Sequence, residues 1–358
     1  MDSALASFAD TIRHAVATRA PLRFRGGGTK DFYGEAPRGE VLDTRAYGGI
    51  VDYDPTELVI TARTGTPLAD VEETLAEHRQ MLAFEPPHFG AGATIGGCVA
   101  TGLAGPRRAA VGSVRDFMLG VALMDQHGEV LRFGGRVMKN VAGYDVSRLL
   151  AGSLGTLGLI VDVSLKVLPQ PAMEATLSFD MDQETALTTL NGLAGTPLPI
   201  SASAWRGGTL DIRLSGADAA VRTAASLLVR EGNGKRVNDA EALSFWSGVR
   251  EHTDPYFGGD APLWRLSLPS IAPPLTLAGE QFIEWGGALR WLRSNDDARA
   301  IREAAAHAGG HATLFRARDK SAGAFHPLPA ALLKIHRALK RELDPAGVFN
   351  PQRLYGDL

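Results

Sequence analysis

Two short glycine-rich runs have the composition to do chemistry with backbone alone. They are Arg25-Gly26-Gly27-Gly28-Thr29 and Gly92-Ala93-Thr94-Ile95-Gly96-Gly97. Each presents consecutive N–H groups with no side chain in the way, and such nests bind anions. A diphosphate held between two of them needs neither a lysine nor a metal. A third run, "AGSLGTLG" at 151–158, lies in the same half of the chain. The second run sits inside "FEPPHFGAGATIGGCVATGLAGPRR", which invites comparison with a dinucleotide fingerprint. That motif needs G-x-G-x-x-G between a strand and a helix. Here Gly90-Ala91-Gly92 is followed by glycine at 96, not 95, and Pro86-Pro87 precede it where a central strand would have to run. The spacing and the prolines exclude the Rossmann reading.

Composition bounds the remaining possibilities. With 358 residues, 45% hydrophobic and 22% charged, the chain is globular and long enough for two domains. A net charge of -3 gives no electrostatic case for nucleic acid or an anionic membrane. Cys98 is the single cysteine, so a disulfide framework and a cysteine-ligated iron–sulfur cluster are both excluded. The first residues carry Asp2 and Asp10 and do not read as a signal peptide, and no window approaches a membrane span. A cytoplasmic location is expected, with peripheral attachment to a membrane left to a partner.

The elements around the loops can be read from periodicity. Leu5, Phe8, Ile12 and Val16 behind Ser3 as N-cap predict an opening helix. "PLRFR" predicts a strand running into the first loop. "LVITARTG" predicts another, followed by a helix with Thr66 as N-cap and Pro67 at its first position; Val71, Leu75, His78 and Leu82 would share a face. "FMLGVALMDQHGEVLRFGG" predicts a hairpin turning at His127-Gly128, and "LIVDVSLKVLP" an alternating strand closed by Pro169 and Pro171.

From about residue 173 the pattern becomes β-α-β-β-α, then a second round of strands with one helix and a final strand, "HATLFRA". Two such ferredoxin-like units predict an antiparallel sheet with helices on one face, and an α+β fold class for the chain. Trp246, Trp264, Trp285 and Trp291 fit either the core or a partner surface. The tail predicts a helix with Leu332, Ile335, Leu339 and Leu343 on one face, stopped by Asp344-Pro345.

Taken together, "RGGGT", "TIGGCVATGLAG", "VRDFMLGVALMDQHGEVLRFGG", "KNVAGYDVSRLLAGSLGTLGLIVDVSLKVLP" and "LDPAGVFNPQRLY" resemble the FAD-binding domain of the vanillyl-alcohol oxidase or PCMH type. "YDPTELVITARTGTPL", "EPPHFG", "GLAGPRR", "GSVRDF", "PSIAPP", "WGGALRWL" and "GGHATLFRA" narrow the resemblance to the E-type FAD-binding subunits of bacterial glycolate oxidases. The resemblance implies a two-subdomain FAD-binding domain at 1–172, an α+β cap or substrate-side domain at 173–325, and a helix and tail at 326–358 returning to the FAD domain.

By the same resemblance, Arg25, Gly26, Gly27, Gly28 and Thr29 cradle the FAD diphosphate. Ala93, Thr94, Ile95, Gly96 and Gly97 approach the diphosphate and the flavin edge, and Pro86 and Pro87 shape the entry. Leu159, Ile160 and Val161 meet the adenosine half, while Gly143, Tyr144 and Asp145 either brace the pocket or form a packing turn. No histidine lies near the first loop and Cys98 fits a small packed residue, so non-covalent FAD and no metal are expected. The implied chemistry is hydride transfer from the α-carbon of a 2-hydroxy acid to flavin, which needs an arginine clamp for the carboxylate and a base. Related dehydrogenases carry an HxGDGNxH pattern where this chain keeps only His311 in "GGHATLFRA". Arg265, Arg290 and His311 are the remaining catalytic candidates. The implied partners are a larger FAD subunit and an iron–sulfur subunit of a glycolate oxidase complex. A non-catalytic FAD-holding relay and a free-standing dehydrogenase are the alternatives.

Overall fold

The computed structural model describes residues 2–135 and 145–358. The chain divides into two compact units. One comprises Met1–Leu103, Ser113–Pro169 and Gly323–Leu358; the other comprises Ala104–Gly112 and Gln170–Ala322.

The first unit opens with the helix Ser3–Thr18, which buries Phe8, Ile12 and Ala15 against Leu22, Leu42, Val161 and Phe349. Its cap is Asp2, whose carboxylate accepts from the N–H of Ala4. Ser3, the expected cap, is already helical, and a cap must stand outside helical geometry. Strand Leu22–Arg25 then pairs in parallel with Glu40–Asp43.

A five-stranded antiparallel sheet forms the second part of this unit. Its order is Ile50–Asp54, Val59–Arg63, Leu159–Lys166, Met118–Met124 and Val130–Gly134. Strand Leu159–Lys166 lies in the middle, so its first five residues are buried, including Asp162 on its polar face. The hairpin turns where the sequence places it. Asp125 accepts from the N–H groups of His127 and Glu129, and Gly128 takes a φ of +72° that favours glycine.

Two expectations in this unit need correction. The helix after Thr66 begins at Leu68, with Pro67 at the cap position, because the Thr66 hydroxyl donates to the Arg63 carbonyl and accepts from the N–H of Gly49. It also ends at Glu77: His78 is exposed, and Leu82 follows the short strand Gln80–Met81, which pairs with Leu168–Pro169. The terminal helix Ala330–Leu343 forms as expected, yet Leu332 and Ile335 are exposed and Lys340 is its buried residue. Three oxygens take the Lys340 ammonium: Asp344 Oδ2 at 2.6 Å, the Thr156 carbonyl at 2.7 Å and the Phe349 carbonyl at 2.8 Å. An apolar stripe predicts burial only when nothing binds the other side more strongly.

The second unit carries an eight-stranded antiparallel sheet. Its order is Lys235–Arg236, Met173–Asp180, Thr209–Gly216, Ile200–Arg206, Glu280–Glu284, Leu289–Arg293, Leu263–Ser267 and His311–Arg316. The two α+β units join edge to edge through Ile200–Arg206 and Glu280–Glu284. Helices Gln183–Ala194 and Asp218–Gly232 cover Leu177, Leu210 and Ile212 on one face. On the same face, Ala298–His307 covers Leu266, Leu292 and Ala312. Helix Asp239–Glu251, absent from the sequence reading, lies on the other face. Its Trp246 donates to Thr176 Oγ1 at 2.9 Å and carries the Arg213 guanidinium 5.0 Å from its ring centre. All four tryptophans singled out above are buried, which favours the core reading. No helix among the described residues is long and apolar enough to cross a membrane.

Candidate functional site

The two glycine loops meet. Strand Leu22–Arg25 delivers the chain into Gly26-Gly27-Gly28, and the second loop leads into helix Ile95–Thr101. Their approach is so close that a Cβ on Gly27 would lie 1.4 Å from the carbonyl oxygen of Gly92. A Cβ on Gly26 would lie 2.3 Å from Thr94 Oγ1, and one on Gly96 2.5 Å from Thr64 Cβ. No side chain fits at these positions, so they require glycine for space; in the second loop the Gly96 N–H donates to the Thr64 carbonyl at 3.0 Å and the Gly97 N–H to Thr94 Oγ1 at 3.2 Å. Such a cradle fits a diphosphate.

A cavity opens beside the cradle. Its wall takes Arg25 to Thr29 from the first loop, Thr94, Gly96 and Gly97 from the second, and Leu159 and Ile160 from the central strand. The wall also includes Leu154 and Gly155 from the third glycine-rich run, and residues that the sequence alone did not single out, among them Arg23, Asp31, Thr64, Asn350 and Arg353. The Thr64 hydroxyl donates to the Ile160 carbonyl at 2.7 Å, tying the segment after strand Val59–Arg63 to strand Leu159–Lys166. Asn350 joins three segments: its side chain accepts from the N–H of Phe24 at 2.7 Å and donates to the Leu154 carbonyl at 2.5 Å. The motif "FNPQRLY" was the available signal for Asn350 and Arg353; Arg23 and Asp31 had none.

Charge is arranged around the first loop. Asp31 accepts from Arg25 Nε at 2.8 Å and pairs with Arg23 as well. Lys30 is buried and donates to the His88 carbonyl at 3.2 Å. Arg353 donates to the Asp31 carbonyl at 2.9 Å, and burial pulls its guanidinium down to about 10.

The other expected cofactor residues lie outside the cavity wall. Pro86 and Pro87 are buried and absent from the wall. Ala93, Ile95 and Val161 are core residues, though the backbone of Val161 accepts from the N–H of Thr64. Asp145 caps helix Val146–Leu150 and pairs with Arg148. Gly143 and Tyr144 fall outside the described residues. Cys98 is fully buried and absent from the wall, and burial pushes its thiol up to about 12, so it stays protonated and unreactive.

The three catalytic candidates lie in the second unit and do not converge. Arg265 pairs with Trp291 and Arg290 with Leu266 across one strand pair, so the two arginines point to opposite faces of the sheet. Arg290 is 1% exposed, and its guanidinium donates to the carbonyls of Gly287, Pro273 and Ala272. Its donors hold a loop together, and burial lowers it to about 10. Arg265 is half-buried with its guanidinium 5.3 Å from the centre of the Trp285 ring, which Arg108 also approaches at 4.5 Å. His311 is exposed at the start of its strand. No group of three or more His, Cys, Asp or Glu side chains among the described residues could hold a metal. His252 of this unit is half-buried and stacked on Phe257 with ring centres 3.9 Å apart. Burial, then Arg316 and Arg265, hold it well below its usual range.

Comparison with known proteins identifies the family and the fold. Residues 5–134 match the family model described as an FAD binding domain, and FAD is the cofactor. Alkyldihydroxyacetonephosphate synthase superposes with a TM-score of 0.68 at 14% identity, over 97% of this chain and 75% of that one, a likeness of fold. The fold is therefore the PCMH-type FAD-binding arrangement joined to an α+β unit. Glycolate oxidase subunit GlcD of Bacillus subtilis is 32% identical over 161 residues, 44% of this chain and 34% of that protein. Glycolate oxidase subunit GlcE of Escherichia coli is 48% identical over 349 residues, 98% of this chain and 97% of that protein. The chain belongs to the glycolate oxidase subunit GlcE family, within the FAD-dependent hydroxy acid oxidoreductases.

Proposed function

We propose that this chain is the FAD-carrying subunit of a glycolate oxidase complex that oxidises glycolate, and other short D-2-hydroxy acids, to the 2-oxo acid, with glyoxylate the product from glycolate. The observation that carries the proposal is the contact between Gly27 and Gly92, which makes a backbone cradle suited to a diphosphate inside a domain of FAD-binding type. In this reading Arg25 to Thr29 hold the diphosphate, Thr94, Gly96 and Gly97 lie toward the flavin, and Leu159 to Val161 lie toward the adenosine. FAD supplies the two-electron acceptor and is held without a covalent bond, since the one cysteine is a buried protonated thiol. A larger FAD subunit and an iron–sulfur subunit receive the electrons, because a chain with one cysteine lacks the thiolates for a cluster. The assembly is cytoplasmic and meets the membrane only at its inner face. Residues 1–172 and 326–358 are the FAD-binding part, and 173–325 the substrate-side part.

A second reading, that the chain holds FAD as a relay without turning over substrate, is favoured by the engagement of Arg290 with three carbonyls and the exposure of His311. Anaerobic addition of glycolate to the purified chain separates the two. Bleaching of the flavin spectrum in the chain alone supports turnover here. Bleaching only in the reconstituted complex supports the relay. No bleaching in either sinks the glycolate assignment.

A further inference from the structure

The cavity wall contains a buried cation, Arg353, with a donor that has no acceptor among the described residues. Arg353 is 7% exposed; its Nη2 donates to the Asp31 carbonyl, while Nη1 is buried with no acceptor among the described residues. The carboxylates that could complete it are engaged elsewhere. Asp31 is held by Arg23 and Arg25, and Glu35 accepts from the N–H of Ala324 at 2.5 Å. Buried donors without acceptors are rare in native proteins, and each has a reason. Burial also weakens the hold of Arg353 on its proton, which a nearby anion would reverse.

Arg353 is held firmly in the wall. Its N–H donates to the Asn350 carbonyl, its own carbonyl accepts from the N–H of Glu35, and Asn350 donates its N–H to the Leu22 carbonyl. Leu22 begins the strand that leads directly into the first glycine loop. A planar guanidinium with a spare donor, fixed beside anion-binding loops, has the geometry to take phosphate oxygens.

We propose that Arg353, brought into the wall by the C-terminal tail, is a ligand of the FAD diphosphate. Cofactor and tail then stabilise one another: docking of the tail completes the site, and FAD completes the hydrogen bonding of Arg353. The inference rests on the cavity being the FAD site, so its test carries a control for that reading.

The full-length chain is stripped of FAD, and the affinity for added FAD is read from flavin fluorescence for Arg353→Met, Arg353→Lys and Gly27→Ala. Arg353→Met is expected to weaken FAD by about tenfold or more. Arg353→Lys, which keeps the charge and loses the fork, falls between Met and the unaltered chain. The rise in melting temperature on adding FAD shrinks in the same order. Unaltered affinity in Arg353→Met, with FAD lost from Gly27→Ala, overturns the role of Arg353 and leaves the cavity reading standing. Unaltered affinity in both overturns the cavity reading, and Arg353 with it. Should Arg353→Met fail to fold, Arg353→Lys decides: full affinity in that variant contradicts the proposal.

Discussion

The two units of this chain fix polar groups in opposite ways. In the first, the cradle is built on closely packed backbone: Gly27 faces Gly92, and Gly96 faces Thr64 and donates its N–H to the Thr64 carbonyl. In the second, the prominent polar groups are side chains already engaged. Arg290 holds three carbonyls, Arg206 holds Asp254, and Trp291 donates to Glu284 at 2.7 Å. A backbone site announces itself by residues that have no other reason to be there. A side-chain site does not, because an arginine that clamps a substrate and one that ties down a loop look alike in sequence.

The contrast can be broken at its strongest point first. Gly27→Ala places a methyl group against the Gly92 carbonyl, so the loops must part. The variant is expected to purify with less than about a tenth of the usual FAD while staying folded, since the loss of one tenfold in affinity needs only about 1.4 kcal/mol. Absorbance at the flavin band against protein content checks this, and full FAD content would contradict a backbone-built site. Arg290→Leu tests the other unit. Loss of a buried cation that donates to three carbonyls should cost about 3 kcal/mol of stability, read as a lower denaturation midpoint, with FAD content unchanged.

A smaller effect comes from pH. His252 is held well below its usual range in the folded chain, chiefly by burial. The unfolded chain then binds the proton first, so the contribution of His252 is fully present above the usual histidine value of about 6.5 and is lost as pH falls below it. The stability slope there is at most about 1.4 kcal/mol per pH unit. His252→Asn, which tolerates the φ of +54° at this helix end, should flatten it in denaturant titrations at pH 5, 6 and 7. An unchanged slope would show that other groups carry it. The smallest effect is expected at Cys98: Cys98→Ala should keep its flavin, and acid precipitation should release all flavin from both proteins. Flavin retained in the precipitate of the unaltered chain alone would mean a covalent link.

How much of this was legible in the sequence follows the same division. The glycine loops, the Asp125–Glu129 turn and both rounds of the α+β pattern could be read, because periodicity and φ requirements are local. Helix Asp239–Glu251 was missed because its apolar residues do not keep to one face: Ala242, Trp246 and Val249 are buried, while Leu243 is 74% exposed. The terminal helix was recognised with the wrong face, since the partners of Lys340 are a carboxylate one turn away and carbonyls at Thr156 and Phe349. Arg23, Asp31 and Thr64 entered the cavity wall through strand pairing and a turn that only tertiary structure sets. In the second unit, the opposite orientations of Arg265 and Arg290 depend on the register with Trp291 and Leu266, and no single stretch of sequence encodes that register.

The central claim is that the FAD diphosphate lies between the two glycine loops, and a structure of the chain with FAD bound tests it most directly. The account predicts phosphate oxygens within hydrogen-bonding distance of backbone N–H groups in the 26–29 segment, with the 94–97 segment packed against the diphosphate. A diphosphate bound elsewhere, with Gly27 and Gly92 still in contact and no phosphate beside them, would contradict it.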